Sequence, residues 1–330
     1  MGNKRHHLTL IAAACLASAH PTFGQTDASS LQYGLYIHYG MPTFAKPGEQ
    51  GEIPASRFAP VSVNVKSWAQ AAKEGGMTFA VLTVKHESGF CLWPSDGYDY
   101  DIAHSPFKGD IIGDFIAACK AEGILPGVHY SIPDAHNEGS ARFKGPVPNL
   151  YFNLIKKHVT ELHTKYPDLR IQIFDVSDRL SPAQWEELCQ LIHQMNPQCL
   201  IMNLGQTRAG VVSYSCDTIP KGWMASYLRG NVPLNTAGQL FAAYAKAHAD
   251  NEAFLLNIGP GPLGNIAANQ MAVLMQMKQM IANPQSAQTQ EPASKPDATT
   301  RLKQVKALYD QGLINKDDYD KKVKEIMDSL

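Results

Sequence analysis

The feature that most constrains this chain is a repeated alternation between short apolar segments and longer amphipathic segments. The short segments are rich in β-branched and aromatic residues, which is typical of buried parallel strands. The longer segments carry apolar residues at helical spacing, which predicts helices with one buried face. The predicted strands lie at 34–40, 79–84, 124–130, 171–174, 199–203 and 253–260, and the predicted helices at 65–74, 111–121, 150–165, 183–195, 237–249 and 269–281.

Alternating strands and helices predict a parallel sheet that is covered by helices. An open doubly wound sheet would carry a glycine-rich phosphate loop after its first strand, and the sequence has none there. A barrel instead gathers all its strand ends around one pocket. The sequence therefore predicts an α/β fold, a (β/α)8-like TIM barrel, over residues 30–283. Polar residues stand at the carboxyl ends of the predicted strands, namely His38, His86, Tyr130, Asp175 and Asn257.

Asp175 is the strongest single candidate for chemistry. The apolar strand at 171–174 runs directly into its carboxylate, and α/β folds place their chemistry at the carboxyl ends of such strands. The structural alternative is that Asp175 caps the following loop or helix. On this segment alone both interpretations stay open.

The amino terminus has the pattern of an export signal. Lys4 and Arg5 form a short basic start, and the apolar run at 8–19 is too short to span a bilayer. We therefore expect a signal peptide over residues 1–24 and a periplasmic or extracellular protein. Cys15 follows three alanines, which leaves lipid anchoring at this cysteine as an alternative. No later segment is apolar for long enough to be a membrane span.

Composition excludes several classes of partner. The 330 residues carry a formal net charge of −1 without a basic stripe, which argues against nucleic acid. The cysteines beyond the signal are scattered and odd in number, without the C-x-x-C spacing of metal sites. The sequence predicts neither a metal nor a cofactor, and it leaves any disulfide pairing open.

A separate unit is predicted at the carboxyl terminus. Residues 284–300 are rich in Pro, Gln, Ser, Thr and Ala, which predicts a disordered linker. Residues 301–330 then form two short amphipathic helices. About thirty residues bury little apolar surface alone, so this hairpin is expected to pack on a partner or to make a homo-oligomer.

Several segments together resemble the α-L-fucosidases of glycoside hydrolase family 29, in the right order over residues 31–283. The most specific is the run at 81–95, which looks like the family's Leu-Thr-x-Lys-His-His-Asp-Gly-Phe segment. The matched segments are GLYIHYG at 34–40, VLTVKHESGFCLWPS at 81–95, SPFKGD at 105–110, HYS at 129–131, FD at 174–175 and LLNIGP at 255–260.

The resemblance implies a retaining hydrolase that removes terminal α-linked L-fucose from an oligosaccharide or glycoconjugate. Asp175 would match the nucleophile, which attacks the anomeric carbon to form a glycosyl-enzyme. His38 and His86 would match residues that hydrogen-bond the sugar hydroxyls. Trp93 and Tyr130 would match pocket walls, since aromatic faces suit the apolar face of fucose.

The expected acid is missing from its place. The family uses a glutamate on a later strand-end segment, yet no glutamate occurs between Glu187 and Glu252. The segment SYSCDTI at 213–219 resembles the family's segment, with Tyr214 where the glutamate would stand. Asp217, three residues further on, is one candidate for the acid/base.

Glu87 is the second candidate for the acid/base. It follows His86, where the family usually has another sugar-binding histidine. Glu49 and Glu52, in the first loop, are further possibilities for a carboxyl that reaches the pocket.

Two other functions stay open from the sequence. Without its acid, the barrel could bind a fucose-type glycan without hydrolysing it. Alternatively, the barrel is a scaffold and the hairpin at 301–330, which resembles a SHOCT (short C-terminal) domain, is the active interaction module.

Overall fold

The chain forms a closed barrel of parallel strands in which each strand is hydrogen-bonded to the next and the last one to the first. A computed structural model describes residues 28–46, 49, 51–205, 211–222, 232–287, 302, 305–306 and 316–327. The expected signal peptide, Cys15 and most of the expected linker lie outside these residues. The predicted (β/α)8-like barrel is confirmed, with seven strands in the described part of the chain.

The strands follow one another around the barrel in chain order. A Cβ on Gly34 would lie 2.4 Å from the ring of Phe79, so only glycine fits where the first two strands approach each other. The strands are β1 Tyr33–Ile37, β2 Phe79–Lys85, β3 Leu125–Ser131, β4 Ile171–Asp175, β5 Leu200–Leu204, β6 Val211–Thr218 and β7 Ala253–Ile258.

The long helices between the strands cover the outer face of the barrel. The helices are α1 Lys66–Glu74, α2 Ile111–Glu122, α3 Ala135–Glu138, α4 Asn149–Lys165, α5 Pro182–Met195, α6 Ala237–Ala249, α7 Ala268–Ala282, α8 Pro284–Ala287 and α9 Lys316–Met327. Short 3-10 helices occupy Ala28–Ser30, Met41–Phe44, Ala55–Arg57, Ile102–His104, Gly139–Ala141 and Ser177–Arg179.

Strand alternation divides the buried side chains into two layers. One set fills the barrel interior, while the larger set lies between the sheet and the helices. Both faces of the strands are therefore buried, as parallel strands require. The interior set includes Tyr36, Phe79, Val81, Ile171, Ile173, Met202, Tyr214 and Leu255.

The carboxyl-terminal segments are described only in part. In α9, Ile326 is buried while Tyr319 and Val323 are half-buried. The expected linker begins with the helical turn α8. Most of the first helix of the expected hairpin lies outside the described residues.

Two chemical features of the described residues bear on the predictions about membranes and cysteines. No helix within them combines the length and the apolar character that a membrane span needs. All five cysteines that the structure describes are free thiols.

Candidate active site

Three histidines and one carboxylate meet at the carboxyl end of the barrel. The ring of His38 lies 5.8 Å from that of His86 and 5.9 Å from that of His129, measured between centroids. His129 Nε2 is 4.0 Å from Oδ2 of Asp175. These four side chains, from β1, β2, β3 and β4, form a polar pocket above the apolar barrel interior.

Asp175 lies at the end of β4, with a partly exposed side chain that a ligand in the pocket can reach. Ser131 Oγ donates a hydrogen bond to its Oδ2 at 3.2 Å. Burial raises the pKa of Asp175 above its ordinary value, and the negative charges of Glu87 and Asp178 raise it further. Hydrogen bonds from Ser131 and from the amide of Val176 oppose this shift without cancelling it.

The turn after Asp175 begins in a strained conformation. Val176 has φ 52° and ψ 41°, in the left-handed region that β-branched residues rarely adopt. Such a residue costs about 1–3 kcal/mol and persists where its surroundings over-determine it, often at functional sites. Ser177 Oγ helps to fix the turn by donating to Oδ1 of Asn203 at 2.8 Å.

His38 is oriented by a residue of the neighbouring strand β7. Its Nδ1 lies 2.7 Å from Oδ1 of Asn257, whose Nδ2 donates to Thr218 Oγ1 at 2.8 Å. An amide oxygen only accepts, so Nδ1 of His38 carries the proton. Burial lowers the pKa of His38 to about 4, although the contact with Asn257 opposes the shift. The imidazole is therefore neutral near pH 7.

A β-bulge turns His86 into the pocket. The register of β2 against β3 shifts between Thr83 and Lys85, so Lys85 faces outward like Val84 and His86 faces inward. Burial lowers the pKa of His86 to about 3, and the charges of His38 and Lys85 act in the same direction.

The outward-facing Lys85 anchors this strand end through a buried ion pair. Its Nζ lies 3.1 Å from Oδ2 of Asp134, and both side chains are fully buried. The same Nζ donates to the carbonyl oxygen of Ser131 at 2.9 Å and lies 4.6 Å from the ring centroid of Tyr130. These contacts fix the strand ends that carry His86 and Ser131.

His129 is a pocket residue that the sequence analysis did not single out. Its Nδ1 lies 3.2 Å from Thr83 Oγ1, and among the described residues its Nε2 has no hydrogen-bond partner. Burial lowers its pKa, and the charges of His38 and His86 add to the effect. The sequence signal that identifies His129 as a pocket residue is strand alternation, because His129 and Ser131 must lie on the same face of β3.

Tyr130 and Trp93 do not face the pocket, which corrects the expectation that they form its walls. Tyr130 points to the opposite side of β3 from His129, and its hydroxyl lies 2.9 Å from His158 Nδ1 in α4. Trp93 is fully buried against the same helix and donates to Glu161 Oε2 at 2.9 Å. Both aromatics pack the layer between barrel and helices.

Asp217 also points away from Asp175. In β6 the side chain of Cys216 packs against the barrel interior, and Thr218 is bonded to the pocket residue Asn257. Asp217, between them, therefore faces the outer side of the strand. Its Oδ1 accepts from the backbone amide of Thr218 at 2.7 Å.

Glu87 is the acid/base candidate whose negative charge contributes to the raised pKa of Asp175. Its Oε1 lies 3.8 Å from Arg142 Nη2, and its backbone oxygen accepts from the amide of Ala135 at 2.7 Å.

The other two carboxyl candidates are held by different partners. Glu49 Oε1 lies 3.3 Å from Arg57 Nη2. Glu52 Oε2 lies 2.6 Å from Nδ1 of His136. Within the described residues, no three His, Cys, Asp or Glu side chains are grouped so that they could hold a metal ion.

Comparisons with known proteins agree with this architecture. The family model of α-L-fucosidase matches residues 52–283. The α-L-fucosidase 1 of Arabidopsis thaliana is 27% identical over 297 residues, which cover 74% of this chain and 57% of that protein. The chain spans 58% and 57% of the length of its rice and Arabidopsis relatives.

Solved structures show the same fold. The α-L-fucosidase isoenzyme 1 of Paenibacillus thiaminolyticus is 27% identical, with a TM-score of 0.64 over 81% of this chain and 77% of that one. The unliganded α-L-fucosidase of Lactobacillus casei is 22% identical, with a TM-score of 0.66 over 78% and 98% of the two chains. Because the family model covers well over half of the sequence, including nearly the whole barrel, this chain belongs to the α-L-fucosidase family.

Proposed function

We propose that this protein is a retaining α-L-fucosidase that acts on terminal α-linked fucose, with Asp175 as its nucleophile. The observation that carries this proposal is the placement of Asp175 at the end of β4, within reach of the three pocket histidines. Oδ of Asp175 attacks the anomeric carbon while the bond from that carbon to the leaving oxygen breaks. Water then hydrolyses the glycosyl-enzyme.

The protonation states of the histidines suit a neutral sugar. A neutral imidazole has one donor and one acceptor nitrogen, which matches hydroxyl groups that both donate and accept. The lowered pKa values of His38 and His86 keep both rings neutral near pH 7. Neutral rings also place no positive charge of their own beside Asp175, where such a charge would weaken its attack.

Glu87 is proposed as the acid/base. A retaining mechanism needs a second carboxyl about 5–5.5 Å from the nucleophile, which protonates the leaving oxygen and then activates water. Glu87 is one of two carboxylates that raise the pKa of Asp175, and its backbone oxygen is bonded to the amide of Ala135, the first residue of α3. Asp178, the other, belongs to the turn after the nucleophile itself.

The relatives support a fucosyl substrate. The Arabidopsis relative is named an α-L-fucosidase, and a variant of the Lactobacillus casei enzyme is described in complex with Fucα(1,6)GlcNAc. We therefore propose a fucosylated oligosaccharide or glycoconjugate as the substrate of this chain.

The nucleophile can be identified by trapping. Incubation with 2-deoxy-2-fluoro-L-fucosyl fluoride should add one fluorofucosyl group to the peptide that contains Asp175, as read by mass spectrometry. Asp175→Asn should abolish the adduct. An adduct on another residue would overturn the assignment. The outward-facing Asp217 supplies the matched control, since Asp217→Asn should label like the wild type.

A fucose-binding protein without hydrolysis is the second candidate. It is favoured by Tyr214, a buried phenol in the segment where the family's glutamate is expected. Burial raises its pKa well above the ordinary value, so this phenol is a poor proton donor. Retained binding of L-fucose in calorimetry, with no adduct and no turnover of aryl fucosides, would establish this alternative.

Export and self-association are proposals that concern the two ends of the chain. The basic start and apolar run of residues 1–24 support export, and the half-buried stripe of α9 supports a SHOCT-like interaction module. Deleting residues 284–330 should abolish oligomers in light scattering and leave L-fucose binding intact. Oligomers that persist in the truncated protein would contradict the role of the hairpin.

A further inference from the structure

A buried ion pair links the chain segment between β3 and α4 to the turn that follows Asp175. Arg179 ends that turn, and Glu138 ends α3. The guanidinium and the carboxylate meet in a two-pronged contact, with Nη1–Oε2 at 2.8 Å and Nη2–Oε1 at 2.6 Å. The side chains are 5% and 9% exposed, so the pair is largely shielded from water and salt.

The remaining donors of Arg179 hold the same segment. Its Nε donates to the carbonyl oxygen of Gly145 at 2.9 Å, and Nη1 also donates to that of Arg142. The backbone amide of Val147 donates to the carbonyl oxygen of Arg179 at 3.0 Å. Arg179 therefore fixes residues 138–147 at several points, through its side chain and its carbonyl oxygen.

The segment at 138–147 also makes the contact with Glu87. Arg142 donates from Nη1 to the carbonyl oxygen of Gly139 at 3.1 Å, and its Nη2 lies 3.8 Å from Glu87 Oε1. A continuous series of contacts thus runs from the turn after Asp175, through Arg179 and Arg142, to Glu87.

The barrel itself supplies no direct link between the two carboxyl groups. Asp175 ends β4, Glu87 follows β2, and β3 lies between these strands. Their separation therefore depends on how the loops above the strand ends are held. In a retaining enzyme that separation must stay close to about 5–5.5 Å.

We propose that Arg179 is a positioning residue that acts through Arg142 to set the place of Glu87 relative to Asp175. The inference rests on the proposed function, because it concerns the acid/base step of that reaction. It predicts that loss of Arg179 impairs the departure of leaving groups that need a proton. Departure of fluoride, which leaves with the electron pair of the C–F bond, should be largely spared.

A double-mutant cycle tests this coupling. For Arg179→Met, kcat/KM with phenyl α-L-fucoside should fall by about 10²-fold, the typical cost of a misplaced catalytic group. With α-L-fucosyl fluoride it should change by far less. Adding Arg179→Met to Glu87→Gln should cause little further loss of kcat/KM, because the Glu87 carboxyl that Arg179 positions has already been removed. Equal losses on both substrates, or additive losses in the cycle, would overturn the proposal.

Control variants separate positioning from folding. Lys156 Nζ lies 2.6 Å from Oε1 of Glu187 in an exposed pair between α4 and α5, so Glu187→Gln should leave both rates unchanged. Arg179→Lys keeps the charge but not the two-pronged contact and should lose activity on phenyl fucoside only in part. If Arg179→Met does not fold, Arg179→Lys and Glu138→Gln enter the cycle in its place.

The test also distinguishes failure of this inference from failure of the proposed function. Absence of the Asp175 adduct in the wild type would refute the function. The double-mutant cycle is then measured through the affinity of each variant for L-fucose, by calorimetry. Non-additive effects of Arg179→Met and Glu87→Gln would still support the coupling, and additive effects would refute it.

Discussion

His38 Nδ1 lies 2.7 Å from Oδ1 of Asn257, which joins the first barrel strand to the last. This contact fixes both the tautomer and the orientation of a pocket imidazole. We expect Asn257→Asp to raise the pKa of His38 from about 4, because a carboxylate stabilises the imidazolium. A histidine-selective NMR titration measures the shift. KM for aryl fucosides should rise at pH values where His38 becomes charged, and an unchanged His38 titration would contradict the role of Asn257.

The acid limb of the pH profile should report Asp175. The nucleophile acts only when ionised, and its raised pKa moves the loss of activity on acidification to higher pH than for an ordinary aspartate. With fucosyl fluoride as substrate, Glu87→Gln removes one repelling charge. The acid limb of kcat/KM should then shift to lower pH. An unchanged acid limb would show that the charge of Glu87 does not act on the nucleophile.

Lys85 and Asp134 should be strongly coupled in stability. Lys85→Met leaves the fully buried Asp134 carboxylate without its cation, which typically costs about 3–5 kcal/mol of unfolding free energy. Lys85→Met with Asp134→Leu should recover much of that loss, since no unpaired charge then remains. Urea denaturation measures each variant. Equal losses in the single and double variants would argue against the ion pair as the cause.

The same ion pair should make stability depend on pH. The Lys85 charge and the hydrogen bonds from Asn137 outweigh burial and lower the pKa of Asp134 in the folded state. This contribution to stability is present above the pKa of an unfolded aspartate and is lost as the pH falls through the folded value. Urea denaturation at several acidic pH values measures the free energy of unfolding as a function of pH. That free energy should change less steeply with pH for Asp134→Asn than for the wild type.

Val176 should illustrate a conflict between stability and activity. Val176→Gly removes the left-handed strain at φ 52° but increases the freedom of the unfolded chain. The two effects oppose each other, and we expect the free energy of unfolding to rise by at most about 1 kcal/mol. The turn that holds Asp175 becomes more flexible, so kcat should fall. An undiminished kcat would show that the strain has no part in positioning the nucleophile.

The sequence was sufficient to predict the barrel because most strands and helices have strong periodic patterns. Helix α5 was predicted at 183–195 and runs from Pro182 to Met195, and Ser181 Oγ caps it by accepting from the amide of Gln184 at 3.2 Å. Strand β6 was not predicted, because Ser213, Ser215 and Asp217 give it a polar outer face. It is recognisable only from its neighbours, β5 and β7.

The pocket was predictable only in part. Asp175, His38 and His86 were singled out because each stands at a strand end, and the structure brings them together. Tyr130 was expected in the pocket because of the family resemblance, whereas strand alternation assigns the inward position to His129. The path from Arg179 to Glu87 depends on contacts between loops, for which the sequence carries no periodic signal.

The bulge in β2 determines which side chain this strand sends into the pocket. Because Val84 and Lys85 both face outward, His86 faces inward, whereas the same sequence without the bulge would alternate regularly and direct the cation of Lys85 to the pocket in place of the imidazole. A change of register at this one point, with every side chain kept, would therefore move the ligand preference of this barrel from neutral sugars towards anionic ones. Strand register is thus an evolutionary variable in its own right, one that substitution-based comparison of sequences does not detect.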